Sequence, residues 1–248
     1  MASLSNMVEL IIPEWKAPDN VVAVFTTRTG GVSSEPYDSL NLGLHVGDNA
    51  EQVVENRRRL RMHLNLSREP EWIRQTHSNH CVVLERDSDR DADAAITCEP
   101  GRVAVVMTAD CLPILLCQDQ GAEVAAVHAG WRGLQAGIVQ NTLATMQSKP
   151  DTLMAWIGPA ISQPCYEVGE EVLLAFDETM SDASDCFQPS RPGHWFCDLA
   201  GLAEKVLKRA GVDSVTRSSD CSFRDSERLF SYRREPVTGR MASLIWIK

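Results

Sequence analysis

The sequence predicts one domain that mixes α-helices and β-strands. Three observations carry this. Apolar, β-branched runs of strand length recur along the chain, at residues 21–27, 103–107 and 243–247 among others. Segments with helical spacing and capping residues lie between them, most clearly at residues 198–209. No internal repeat, low-complexity tract or linker interrupts the 248 residues, a length one large domain can fill.

In chain order, the strand at 21–27 ends in Arg28-Thr29-Gly30-Gly31, whose glycines suit a tight turn. Residues 36–45 follow as a long loop without period, the kind of segment that often carries function. Asp48 followed by Glu51 predicts a capped helix over 50–64, with Val53, Leu60 and Leu64 on its apolar face. Arg57, Arg58, Arg59 and Arg61 crowd this helix; such runs are normally solvated, but Arg57 is the candidate to point into a pocket and hold an anion. Short strands are expected at 71–75 and 81–85, then an acidic turn at 87–93 that lacks the glycine and distal glutamate of a calcium loop. Continuous apolar character at 103–107 predicts a strand buried on both faces. A turn at Asp119-Gln120-Gly121 then returns the apolar segment 114–117 as a strand at 123–127. A helix over 134–146, a strand at 153–157, a helix at 169–176, a polar surface excursion at 181–193 and a final strand at 243–247 complete the reading. Asp198 caps the helix at 198–209 and Gly211 ends it.

The formal net charge of −10 argues against a nucleic-acid binder, since phosphate-backbone binding rests on clustered Lys and Arg. A local arginine cluster can still hold a small anion. Eight cysteines could suggest disulfides, but Cys81 and Cys117 sit inside apolar runs as reduced thiols do. The first residues lack the basic stretch of a secretory signal, and Leu10-Ile11-Ile12 stops at Pro13. A reducing, cytoplasmic location is expected. No apolar stretch has the length to span a bilayer, so no membrane partner is expected. The oligomeric state, monomer or weak dimer, is not fixed.

The stretch from Thr108 to Leu134 carries the chemistry. Cys111 follows one strand, His128 ends another, and His77 lies upstream in Gln75-Thr76-His77-Ser78. The hairpin just described returns His128 toward Cys111. One Cys and two His are donors that suit zinc, and three protein ligands leave a fourth position open, as catalytic sites require. His77, Cys111 and His128 are therefore both the candidate metal ligands and the candidate catalytic residues. His80 could close a structural site instead, although the chain lacks the close Cys pairs such sites favour. Two rival readings use the same residues: a metal-free cysteine hydrolase with Cys111 as nucleophile and His128 as base, and a non-catalytic, zinc-stabilised binding module.

These residues sit in recognisable motifs. The sequence resembles the YfiH or laccase-domain family through Thr26-Thr27-Arg28, Gly30-Gly31-Val32-Ser33, Ser39-Leu40-Asn41-Leu42-Gly43, Asn56-Arg57, Gln75-Thr76-His77 and Ala92-Asp93-Ala94. It continues through Thr108-Ala109-Asp110-Cys111-Leu112-Pro113, His128-Ala129-Gly130-Trp131-Arg132-Gly133, Ile157-Gly158-Pro159, Ser231-Tyr232-Arg233-Arg234 and Thr238-Gly239-Arg240. The resemblance implies an α+β fold of two mixed β-sheets packed together, with helices on the outside. It implies a zinc site on His77, Cys111 and His128. It also implies phosphorolysis of adenosine, inosine and guanosine, cleavage of methylthioadenosine, and adenosine deamination; some members are linked to peptidoglycan precursor editing. The partners would be a small purine nucleoside and phosphate. For phosphate, Asn41, Arg57 and the helix start near Gly133 are the candidates, on guanidinium and N–H geometry. Asp110 or Asp93 could shuttle protons, although Asp110 should point away from the Cys111 side. The family's older oxidase label fits poorly, because six histidines and no His-x-His pair cannot furnish several copper centres.

Overall fold

The computed structural model describes residues 7–248. The chain runs through β1 (Leu10–Ile11), β2 (Val21–Thr26), α1 (Ala50–His63), β3 (Glu71–Trp72), β4 (Cys81–Val83), β5 (Ala94–Thr97) and β6 (Val103–Thr108). It continues with β7 (Leu112–Gln118), β8 (Val124–Ala129), α2 (Trp131–Gln135), α3 (Ile138–Thr145), β9 (Leu153–Ile157), β10 (Glu167–Gly169) and α4 (Glu170–Asp177). The last elements are β11 (Phe187–Pro189), β12 (His194–Cys197), α5 (Leu199–Arg209), β13 (Ser214–Arg217) and β14 (Met241–Ile247).

Two mixed sheets form the frame, one ordered β1-β2-β14-β6-β3 and the other β13-β9-β7-β8-β5-β4. Alternation along the strands builds the layers, because successive side chains face opposite sides. On β7, Leu115 and Cys117 face the other sheet, while Leu112, Ile114 and Leu116 face the helices. On β6, Ala104 and Val106 face inward, and Val103, Val105 and Met107 face out toward Leu60 of α1. The result is four layers: α1, five strands, six strands, then α3, α4 and α5. Phe25, Leu115, Trp156 and Ile245 fill the space between the sheets. Each such burial is worth about 1.5–3 kcal/mol, so this layer fixes how the sheets sit on each other. A third, small antiparallel sheet, β10-β12-β11, was not expected.

Helix α5 follows its sequence signals. Leu199, Leu202, Ala203, Val206 and Leu207 are buried along one face, Asp198 accepts the Gly201 N–H at 2.9 Å, and Gly211 takes φ 92° beyond the end. Elsewhere the structure corrects the reading. Asn49, not Asp48, caps α1, accepting from the N–H groups of Glu51 and Gln52. Asp48 instead accepts from Ser33 and Asn41. The helix expected over 134–146 is broken into α2 and α3 at Gly137, whose φ of 90° is open to glycine at little cost. The strand expected at 71–75 shrinks to two residues. Beyond it, the Gln75 amide bonds the Met107 N–H at 2.7 Å and its carbonyl at 2.8 Å, replacing ladder pairing with a side chain. Residues 181–193 are not merely a surface excursion, since Ala183, Cys186 and Phe187 are buried and β11 pairs with β12. All eight cysteines are free thiols, and no helix among the described residues is long and apolar enough to cross a membrane.

Candidate metal centre

Two crossings between the sheets build the site. The turn Ala109-Asp110-Cys111 carries the chain from β6 in one sheet to β7 in the other. The loop holding His77 carries it from β3 to β4, again from the five strands to the six. Each crossing contains a non-glycine residue with left-handed backbone: Asp110 at φ 95° and His77 at φ 60°. Such conformations cost free energy and persist where surrounding contacts hold them. His128 enters from β8, opposite Pro113 in the β7–β8 ladder, as the predicted hairpin requires.

The three donors converge. Their ligand atoms lie within 4.8 Å of one another, with Cys111 Sγ 3.9 Å from His77 Nε2. Tetrahedral bonds of about 2.1 Å to nitrogen and 2.3 Å to sulfur would place N and S about 3.6 Å apart, so small side-chain movements suffice to close on a metal. A Cβ at Gly130 would lie 3.0 Å from both Cys111 Sγ and a His77 ring carbon, so only glycine leaves the donors room there. His128 is buried, Cys111 is half-buried and His77 is exposed, so the cluster opens on one side. His80, the possible fourth donor, bonds the Asp91 carbonyl instead and is not in the cluster.

One carboxylate organises the centre. Asp93, fully buried, bonds His128 Nδ1 at 2.7 Å and accepts from the N–H groups of Thr76, His77 and Ser78 and from the Ser78 hydroxyl. It therefore holds the strained His77 backbone and leaves His128 Nε2 for the cluster, the usual way a carboxylate fixes the ligating nitrogen. Burial opposes its charge, but His128 and Ser78 bring the carboxyl down to about 2. Burial likewise pushes the Cys111 thiol up, and the His128 and His77 imidazoles more than reverse this, to about 6. Burial lowers His128, yet Asp93 and Cys111 raise it to about 9. The metal-free centre thus favours the thiolate–imidazolium pair, each charge stabilising the other against burial. A metal must displace the imidazolium proton. Apparent metal affinity should therefore rise with pH above the ordinary histidine range, roughly tenfold per pH unit for the one proton displaced, and flatten once His128 has lost that proton. Chelator competition across that range checks this, and a flat profile contradicts it.

The donors face a cavity of about 520 Å³, within the range of small-molecule sites. Gln75, Met107, Trp131 and Tyr166 contribute to its wall, with His45, Tyr232 and the guanidiniums of Arg132, Arg233 and Arg240. The three phosphate candidates lie elsewhere. Asn41 is buried behind Arg240, accepting the N–H groups of Gly43 and Arg240. Arg57 donates twice to the Leu42 carbonyl and stacks 3.8 Å over Trp72. Gly133 is buried in α2 against the Ser78 carbonyl. None of the three lines the cavity. Asp110 does, and its two oxygens accept from Ser222 Oγ and the Arg233 N–H, tying the C-terminal segment to this wall. Arg132, Arg233 and Arg240 went unassigned from sequence, although all three stand inside the quoted motifs.

With this geometry in view, the comparisons are specific. Residues 22–248 match the family model described as multi-copper polyphenol oxidoreductase laccase. A Shigella flexneri protein named purine nucleoside phosphorylase YfiH is 46% identical over 243 residues, covering 97% of this chain and 100% of that protein. The chain belongs to the YfiH, or laccase-domain, family. A Pseudomonas aeruginosa member named purine nucleoside phosphorylase is 45% identical over 241 residues, covering 96% of this chain and 98% of its own. A Neisseria meningitidis crystal structure of the family, 44% identical, superposes with a TM-score of 0.91 over 96% of this chain and 99% of its own. The YfiH fold of mixed sheets and outer helices is thus the one described above. The copper description of the YfiH family model does not suit this donor set. Among the described residues the three-donor cluster is the one group of its kind, and several copper centres need more.

Proposed function

We propose that this chain is a zinc-dependent purine nucleoside phosphorylase that also deaminates adenosine. The observation that carries the reading is an open His-Cys-His cluster facing a nucleoside-sized cavity with an arginine edge. The printed names of the relatives support it. His77, Cys111 and His128 are the proposed ligands, a nitrogen and sulfur set that suits zinc. A zinc ion there would supply positive charge that polarises a substrate oxygen or acidifies water.

In phosphorolysis the C1′–N9 bond breaks and its electron pair leaves with the purine, which takes up a proton. A phosphate oxygen forms the new bond to C1′. Arg240 is the proposed phosphate residue: it lines the cavity and donates through Nη1 to the carbonyls of Thr238 and Gly239, leaving Nε and Nη2 without a hydrogen-bond partner among the described residues. His45 lies close by, and burial together with the charges of Arg240 and Arg57 lowers its pKa. A neutral imidazole there can accept a hydrogen bond from a phosphate hydroxyl. Asn41 and Arg57 shape this end from behind, through the Arg240 N–H and the Leu42 carbonyl. In deamination water adds at C6 of adenine and ammonia leaves.

Incubating the zinc-loaded protein with adenosine or inosine and inorganic phosphate should release free base and ribose 1-phosphate. Without phosphate, adenosine should yield inosine. No product from verified zinc-loaded protein contradicts the reading. The low thiol pKa of Cys111 also favours a second one, a metal-free thiol hydrolase. Activity that survives a strong chelator would select it.

A further inference from the structure

We propose that the cavity takes purine nucleosides bearing an anionic group on the ribose, with a 5′-phosphate as the simplest case, and that Arg132 and Arg233 receive it. The inference rests on the phosphorylase reading and names a substrate class within it. Its basis is a charge imbalance. The chain is acidic, with 34 Asp and Glu against 24 Lys and Arg. Many surface arginines are paired, as Arg74 is with Asp91, Arg191 with Glu167 and Arg228 with Glu9 and Asp220. The cavity reverses this. Arg132, Arg233 and Arg240 all line it, and among the described residues none makes an ion pair. Asp110 is its one lining carboxylate, already engaged by Ser222 and the Arg233 N–H.

The three guanidiniums form two poles. Arg240 lies at one end, 5.9 Å from the Tyr232 ring and beside His45. Arg233 lies 5.1 Å over the Tyr166 ring, and the charge of Arg132 acts on the same phenol. Tyr232 and Arg233 are successive residues, so one short segment supplies a partner to each pole. Cys111, Tyr166 and Arg240 line the same cavity, so the donor cluster faces the space that both ends share. Inorganic phosphate needs one pole. A neutral nucleoside would leave Arg132 and Arg233, both exposed, paired only with solvent. An anionic group on the sugar supplies the match, and planar guanidiniums suit a phosphate monoester.

Calorimetric titration of the zinc-loaded protein tests this, with sulfate present to fill the Arg240 end without reacting. Adenosine 5′-monophosphate should bind at least roughly tenfold tighter than adenosine, as charge-assisted hydrogen bonds allow. Arg132→Gln should reduce that advantage, and Arg132→Gln with Arg233→Gln should erase it while adenosine binding stays unchanged. Arg132 is exposed, so the single variant should fold. If adenosine binds and its monophosphate binds no tighter, or keeps its advantage in the double variant, the inference is wrong and the phosphorylase reading stands. If neither nucleoside binds, both fail.

Discussion

His77→Ala is expected to abolish turnover and leave the fold standing. The side chain is exposed and supplies one of three donors, while the backbone beneath it is held by Asp93 and not by the ring. Losing a first ligand should cost more metal affinity than the about 10–100-fold that follows loss of a residue behind a ligand. The metal-free variant should unfold within about 0.5 kcal/mol of the metal-free parent, as exposed substitutions usually do. Metal content, denaturant midpoint and product formation read the three effects separately. Wholesale unfolding would mark the metal as structural, and full turnover without metal would favour the thiol reading.

Asp93→Asn should produce the second largest effect. The carboxylate accepts from three N–H groups and a hydroxyl and bonds the buried His128 ring. An amide presents one acceptor and turns its NH₂ toward donors. Unmatched buried groups cost about 1–3 kcal/mol, and metal affinity should fall about 10–100-fold. The pH profile of metal uptake should move as well. Asp93 helps to raise the His128 pKa against burial, so removing its charge lets that pKa fall. The steep part of the profile then shifts to lower pH. Chelator competition at several pH values checks both changes; unchanged affinity would show that the ligands hold their positions without Asp93.

The donor residues were legible because their chemistry is written in residue type. His and Cys beside Gly and Pro at strand ends stand out in any order, and the hairpin that joins Cys111 to His128 is local. The arginines of the cavity wall were not legible. Arg57 looked free on its helix, but its guanidinium is taken by the Leu42 carbonyl and Trp72, partners 15 residues apart in each direction along the chain. Arg240 reaches the cavity because Asn41, 199 residues away, holds its backbone, and no periodicity encodes that. Asp93 is legible as a motif residue and a possible proton shuttle but not as the anchor of His77 and His128, since its partners at 76–78 and 128 come together through the fold. The broken helix at Gly137 and the short third sheet were lost to the same cause: local pattern ranks propensities, and tertiary contacts decide between them.

Because both crossings that deliver Cys111 and His77 end against the six-stranded layer, where Asp93 and His128 also stand, an ion gripped by this cluster would pin the two crossings to that layer. Release of either crossing would pull the donors apart before any strand unzipped. Loss of the ion would therefore report a freed crossing.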